Sequence, residues 1–227
     1  MHQRFSAHDT IPANMQRSTM DVHNSEDAAV SRFFAKYPKR EFAAGELLVF
    51  GDSTIPDIFY IVSGAVTQQA ISDSGSRTIL NSFGPGAFFP IQWALTDTPN
   101  EYFYEAVGDV VARVAPYRDA LAFLADNPPV TMDLLQRVLR GAAGIQQKLE
   151  LLMTGSASGR LWHELLVCAE RFGRRQEDKS VHLHITETQL SQQTGLARET
   201  VSRELQKLKK AGLIKRSRGE IRLSLTP

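Results

Sequence analysis

Arg198, Glu199, Ser202 and Arg203 are the side chains of this sequence best suited to reading a nucleic acid. At 100° per residue they fall, with Gln206, within an arc of about 140° on a helix. Arg can grip guanine O6 and N7 with two parallel hydrogen bonds, and Glu can accept one from cytosine N4. Val201, Leu205 and Leu208 point the other way, toward a core. A helix that is cationic and hydrogen-bonding outside and apolar inside meets the demands of a DNA major groove. Charged outer faces are also ordinary on surface helices, so the flanking elements decide between the two readings.

Those flanks favour DNA. Thr186, followed by Gln189 three residues on, has the pattern of a capping box that starts a first short helix. A tight turn follows at Thr194-Gly195-Leu196, where Gly195 supplies the positive φ that a sharp bend between helices requires. The second helix then runs from about Ala197 to Lys210 and stops at Gly212. Beyond it, LIKRSRGEIRLSL alternates like two strands around Ser217-Arg218-Gly219, a hairpin or wing carrying Lys215, Arg216 and Arg218. A helix-turn-helix with a basic wing predicts binding to double-stranded DNA.

Charge is partitioned in the same sense. Residues 156–227 hold 14 Lys and Arg against 8 Asp and Glu, a net of +6, whereas residues 1–155 carry −5. A basic small domain on an acidic larger one suits phosphate contact by one part only. The chain of 227 residues is 42% hydrophobic. That is material for one or two domains with real cores. No run approaches the ~18 apolar residues of a membrane span, and the N-terminal stretch lacks the apolar segment of a signal peptide. A cytoplasmic protein without a membrane partner is therefore expected. Residues 1–29 read as a mobile arm, being polar and aperiodic. The single cysteine, Cys168, excludes an internal disulfide and falls well short of the four ligands common for an iron–sulfur cluster. It lies in the helical pattern LWHELLVCAERF and reads as a buried thiol.

Between arm and wing the sequence divides again. EFAAGELLVF, IFYIVSGAVTQQAI, TILNSF, AFFPIQWAL, YFYEAV and VVARVA are strand-like runs separated by Gly, Asp, Ser and Pro turns. Their spacing is that of an antiparallel barrel or jelly roll. A short helix over 118–127 closes at Asn127-Pro128-Pro129. In the helical segment that follows, Leu135, Val138, Ala142, Ile145, Leu149 and Leu152 alternate spacings of three and four. That is an unbroken heptad seam and predicts self-association into a homodimer. The expected class is thus α+β: an antiparallel β-roll over 30–127, a long dimerisation helix over 128–155 and a winged helix-turn-helix over 156–227.

From about Val30 onward the chain resembles the Crp/Fnr family of bacterial transcription regulators. AAGELLVFGD, IFYIVSGAV, the Gly84-Pro85-Gly86 turn followed by Phe88, SGRL at the start of the DNA-binding domain and, above all, ARETVSRELQKLKKAGLI carry the resemblance. It implies a cyclic-nucleotide-binding-like jelly roll and a homodimer on a palindromic site with TGTGA-like half-sites, working with RNA polymerase. It also implies base contacts by Arg198, Glu199, Ser202 and Arg203. Thr188 and Thr200 match phosphate-contacting positions, and Lys207, Arg216 and Arg218 would assist. One departure is Ala197 at the start of the recognition helix, where Ser is common; Ala is the poorer N-cap by about 1 kcal/mol.

The sensor region departs further. Cyclic-AMP-binding members carry Gly-Glu-Leu or Gly-Glu-Met after the turn and Arg-Ser ahead of the next strand, the Glu for the ribose and the Arg for the cyclic phosphate. Here Pro90, Ile91 and Gln92 replace the first element, and Asn100, Glu101 and Tyr102 cover the second. No Arg lies between Arg77 and Arg113. A phosphate buried without a cation is costly, so cyclic AMP is not expected as the effector and no cofactor is predicted. Phe88, Phe89, Trp93, Tyr102, Phe103 and Tyr104 would serve as packed core before they would line a site for haem or another small effector. His182 and His184, with no third ligand, do not make a metal site, and none is predicted.

Enzyme signals are missing. The third Gly of a dinucleotide fingerprint is absent after Gly86, and Ala157 stands where a nucleophile elbow needs Ser; Ser156 or Ser158 reads instead as a helix cap. The remaining rival is a ligand-binding regulatory subunit that acts on a protein partner. It would have no need of outward Arg198 and Arg203, and mobility shift with duplex DNA separates the two.

Overall fold

A computed structural model describes residues 24–51, 57–73, 75–96, 98–178, 180–217 and 219–224. The β signals after residue 38 form one antiparallel sheet of six strands. They are β1 (Lys39–Phe42), β2 (Leu47–Val49), β3 (Asp57–Ile71), β4 (Arg77–Phe83), β5 (Phe88–Phe89) and β6 (Phe103–Pro116). The order is β1-β6-β3-β4, with β2 also on β6 and β5 also on β3. The long β3–β6 pair, in register from Asp57↔Pro116 to Gln69↔Phe103, is the spine. It is irregular around Ser63, next to Gly64 at φ +87°. A Cβ at Gly64 would come within 2.4 Å of the Asp109 carbonyl oxygen, so both the backbone angle and the close approach require glycine.

Three strand expectations change. EFAAGELLVF is broken by a turn over 43–46 into the end of β1 and all of β2. YFYEAV and VVARVA are parts of the single strand β6. AFFPIQWAL pairs for only two residues, Phe88 with Tyr60 and Phe89 with Phe59. Pro90 then has no N–H to continue the ladder, and Ile91–Thr96 turns into a short helix, α2, that buries Ile91.

Phe42, Phe59, Ile61, Val66, Phe89 and Tyr104 lead the β-roll core. The Phe89 and Tyr104 rings stack at 4.9 Å and 3°, with Phe83 and Phe59 stacked on Phe89 in turn. A second core lies where α1 (Asn24–Phe34), α3 (Tyr117–Asp126) and the first turns of α4 (Pro128–Thr154) close on the sheet. Val30, Phe34, Ile58, Ala115, Leu124 and Val130 are buried there. Helix α1 begins inside the stretch read as an arm: Val30 and Phe33 bury one face, and Arg113 donates to the Ala35 and Tyr37 carbonyls at its end. The rest of that stretch, residues 1–23, lies outside the described residues.

Helix α4 has 27 residues. At 1.5 Å of rise per residue its length is about 40 Å. It ends at Gly155, and α5 (Ala157–Phe172) starts at once. Ser156 caps α5, its side chain accepting from the Gly159 N–H at 3.1 Å, which satisfies one of the free donors of the first turn. Then follow β7 (Arg174–Arg175), β8 (Ser180–Leu183), α6 (Glu187–Thr194), α7 (Arg198–Lys210), β9 (Ile214–Ser217) and β10 (Glu220–Ser224). The strands form an antiparallel sheet ordered β7-β8-β10-β9 beneath the three helices. Leu161, Leu165, Leu190, Val201, Leu205, Leu208 and Leu223 fill the core between them.

Candidate nucleic-acid interface

The turn that aims α7 is built from local chemistry. Thr186 and Gln189 form the reciprocal capping box, each side chain satisfying the other's backbone N–H. Gly195 takes the left-handed conformation at φ 68° and ends α6. Ser191 donates to the Leu196 carbonyl at 2.6 Å and Thr194 to the Leu190 carbonyl at 2.6 Å, which ties the bend together. Helix α7 then leaves from Ala197, which offers no side-chain cap.

On α7 the two faces separate as expected. Val201, Leu205 and Leu208 are fully buried. Arg198, Glu199, Arg203 and Gln206 are exposed and Ser202 is half-buried. The Arg203 side chain is 66% exposed, its Nε 3.7 Å from the Glu204 carboxylate. The residues assigned to phosphates are less uniform. Thr188 is exposed and Thr200 half-buried. Lys207 donates to Glu204 at 2.7 Å, and Arg216 donates to Glu187 at 2.8 Å, tying the wing to the start of α6. Both cations must exchange a carboxylate for a phosphate to act on DNA. Arg218 lies outside the described residues.

The domain also leans on the β-roll, on a side that includes Ala197 and Thr188, one of the residues assigned to phosphates. Arg171 donates to the Asn81 side chain at 2.8 Å. A cleft of about 420 Å³ separates Ser76, Arg77 and Thr78 from Thr188, Gln192, Gly195 and Ala197. The Arg198–Arg203 face does not line it.

The heptad positions of α4 stay uncovered. Val130 and Asp133 are buried and Leu134 packs on the domain's own core. Leu135, Val138, Ala142, Ile145, Leu149 and Leu152 are all exposed, Ile145 by 64%. The seam is therefore separate from the face by which α4 binds its own β-roll. Leu139 and Met153, at 60% and 79%, widen the apolar strip.

The sensor region uses its polar groups structurally. Asn100, 5% exposed, donates to the Phe50 and Tyr102 carbonyls at 3.1 and 2.7 Å. Arg77 is paired with Glu105 and Arg113 with the end of α1. Phe89 and Tyr104 are core, whereas Phe88, Trp93, Tyr102 and Phe103 are only partly buried. His182 is hydrogen-bonded to Glu220 across the wing sheet at 2.9 Å. Among the described residues no group of three or more His, Cys, Asp or Glu could hold a metal, and no helix is long and apolar enough to cross a membrane. Burial, with Glu164 adding, pushes the Cys168 thiol up to about 12, leaving it protonated and inert.

One residue of this interface escaped the sequence reading. Glu204 lies beside Val201 and Leu208 on the buried side of α7, with its side chain 4% exposed. A carboxylate at the edge of the apolar arc was the available signal.

Comparison with known proteins agrees with this architecture. Residues 39–127 match the cyclic nucleotide-binding domain family, and residues 159–225 match the Crp-like helix-turn-helix domain family. The transcriptional regulator SdrP of Thermus thermophilus is 28% identical over 184 residues, 80% of this chain and 87% of its own. A CRP-like cAMP-activated global transcriptional regulator of Mycobacterium tuberculosis is 27% identical over 183 residues, 79% of this chain and 81% of its own. The crystal structure of a Crp/Fnr-family regulator from Thermus thermophilus superposes with a TM-score of 0.67 at 26% identity, covering 82% of this chain and 93% of that one. The c-di-GMP-responsive regulator CLP of Xanthomonas campestris shares the fold, with a TM-score of 0.70 at 18% identity over 86% of this chain and 98% of that one. These relatives are regulators and not enzymes. With a β-roll, a long helix and a winged helix-turn-helix in that order, the chain belongs to the Crp/Fnr family of DNA-binding transcription regulators.

Proposed function

We propose that this regulator works in the cytoplasm as a homodimer on a twofold-symmetric DNA site with TGTGA-like half-sites, and acts on transcription together with RNA polymerase. The observation that carries the reading is the exposed Arg198–Arg203 face of α7 above a fully buried apolar face. The uncovered seam of α4 supplies the means of pairing two such helices. Arg198, Glu199, Ser202 and Arg203 read base edges. Thr188, Thr200, Lys207, Arg216 and Arg218 hold phosphates. Two half-sites in successive major grooves lie about 34 Å apart, centre to centre.

The effector is not cyclic AMP, or there is none. Both arginines that flank the pocket stretch already have partners, and the aromatic stack of Phe59, Phe83, Phe89 and Tyr104 occupies the β-roll interior. Equilibrium binding of the purified chain to a duplex with two TGTGA half-sites, against a scrambled duplex, tests the reading. Tighter binding to the symmetric duplex without added nucleotide is expected, with a steep loss on raising salt. Equal binding to both duplexes contradicts it.

A further inference from the structure

Glu204 accepts a hydrogen bond from the Ser158 hydroxyl in the first turn of α5. Lys207 Nζ lies 2.7 Å from its other oxygen, and Arg203 Nε lies 3.7 Å from it. Burial alone would raise its pKa. The hydrogen bonds from Lys207 and Ser158 and the charges of Lys207 and Arg203 outweigh burial and hold the carboxyl below the usual glutamate range. A buried carboxylate is seldom the most stabilising choice, because an apolar residue of similar volume packs there without desolvating a charge. What this carboxylate does, and an apolar residue would not, is face two ways. Toward the interior it holds Ser158, close to Gly155 where α4 ends and the DNA-binding domain begins. Toward the surface it draws in two cations that belong to the DNA face.

We propose that Glu204 is a positioning residue for DNA reading, pinning the recognition helix to the α4–α5 junction and orienting Arg203 while it restrains Lys207. The proposal rests on the reading of Arg203 as a base contact. Its effect is on specificity. A guanidinium drawn from below by a fixed carboxylate samples fewer directions before it meets a base, so less order has to be gained on binding. An ammonium already paired with a carboxylate gives less to a phosphate of arbitrary sequence. A reorientation of α5 at Gly155 reaches α7 through the Ser158–Glu204 contact as well as through the apolar core the two helices share.

The test compares wild type, Glu204→Gln, Ser158→Ala, their combination and Arg203→Ala on the duplex with two TGTGA half-sites and on random duplex. The ratio of the two affinities is the readout. Glu204→Gln should lower cognate affinity by about tenfold while random-duplex affinity holds or rises, because the change removes one negative charge beside the DNA. The salt slope on random DNA should steepen by about one ion as Lys207 is released. Ser158→Ala should move the ratio the same way, and the combination should cost less than the two added together. A purely structural role lowers the melting temperature and leaves the ratio of the folded protein unchanged, and that result overturns the proposal. If Glu204→Gln does not fold, Ser158→Ala decides, and an unchanged ratio there overturns it equally. A ratio lowered by Arg203→Ala but not by Glu204→Gln rejects the role of Glu204 alone. A ratio unmoved by Arg203→Ala rejects instead the reading of Arg203.

Discussion

Ile145 offers the sharpest perturbation of the dimer. It lies midway along the α4 seam and is 64% exposed in the single chain. Full burial of an Ile side chain contributes about 1.5–3 kcal/mol. With most of that surface left for a partner to cover, each copy has about 1–2 kcal/mol to contribute. A twofold axis doubles this, so Ile145→Glu should remove about 2–4 kcal/mol of dimerisation free energy from apolar burial alone. Two carboxylates facing each other across the seam add repulsion and desolvation to that minimum. The dissociation constant of the dimer should rise by about 30-fold to 1,000-fold. The fold of each chain should survive, because Ile145 belongs to none of the three cores. Sedimentation over a concentration series measures the constant, and circular dichroism checks the fold. Binding to a two-half-site duplex should weaken in parallel. A folded variant that dimerises as tightly as wild type would refute the assignment of this seam.

Three further outcomes follow from single contacts. Cys168, its thiol pushed up to about 12, should resist iodoacetamide at pH 8 in the folded chain and react on unfolding; fast labelling of the native protein would contradict its burial. Burial holds His163 below its ordinary value of 6.5, with Glu164 opposing and Lys148 reinforcing. The folded chain therefore binds that proton less readily than the unfolded one, so its contribution is complete above about 6.5 and is lost as pH falls toward the folded value. Urea unfolding at pH 7.5 and 5 should show less stability at pH 5, and His163→Gln should shrink the difference; an undiminished difference would count against this histidine. Thr186→Ala removes the capping box of α6. It should destabilise the DNA-binding domain by about 1 kcal/mol, read as a lower urea midpoint.

What could be read in advance was what short-range chemistry decides. The Thr186–Gln189 box, the left-handed Gly195 and the split of α7 into wet and dry faces are set within a few residues, and all three stand as expected. The apolar stripe of α4 was legible because a heptad is a local rhythm, and the structure leaves it exposed, apart from the face held by Val130 and Leu134. Contacts between distant positions were not legible. Ser158 and Glu204 lie 46 residues apart, and Glu187 and Arg216 lie 29 apart. Nothing near Arg216 in sequence says that its charge is already engaged. The run Ala87–Leu95 looked like a strand because its composition is apolar and aromatic. The helix there follows from Pro90 ending the ladder and from the place that Ile91 finds in the core that also holds distant Val130 and Ala115.

Selection of bound duplexes asks directly whether two copies of the α7 surface read bases. Duplexes selected from a random pool by the wild-type chain and by Arg203→Ala should differ at one pair of symmetry-related positions. Wild type should return a palindrome with a fixed base at that pair, and the variant the same palindrome with that base relaxed, a loss of about 1–3 kcal/mol of discrimination per contact. Identical selected sequences from the two proteins would rule out base readout by Arg203, and a wild-type site without twofold symmetry would rule out a pair of α7 helices on DNA.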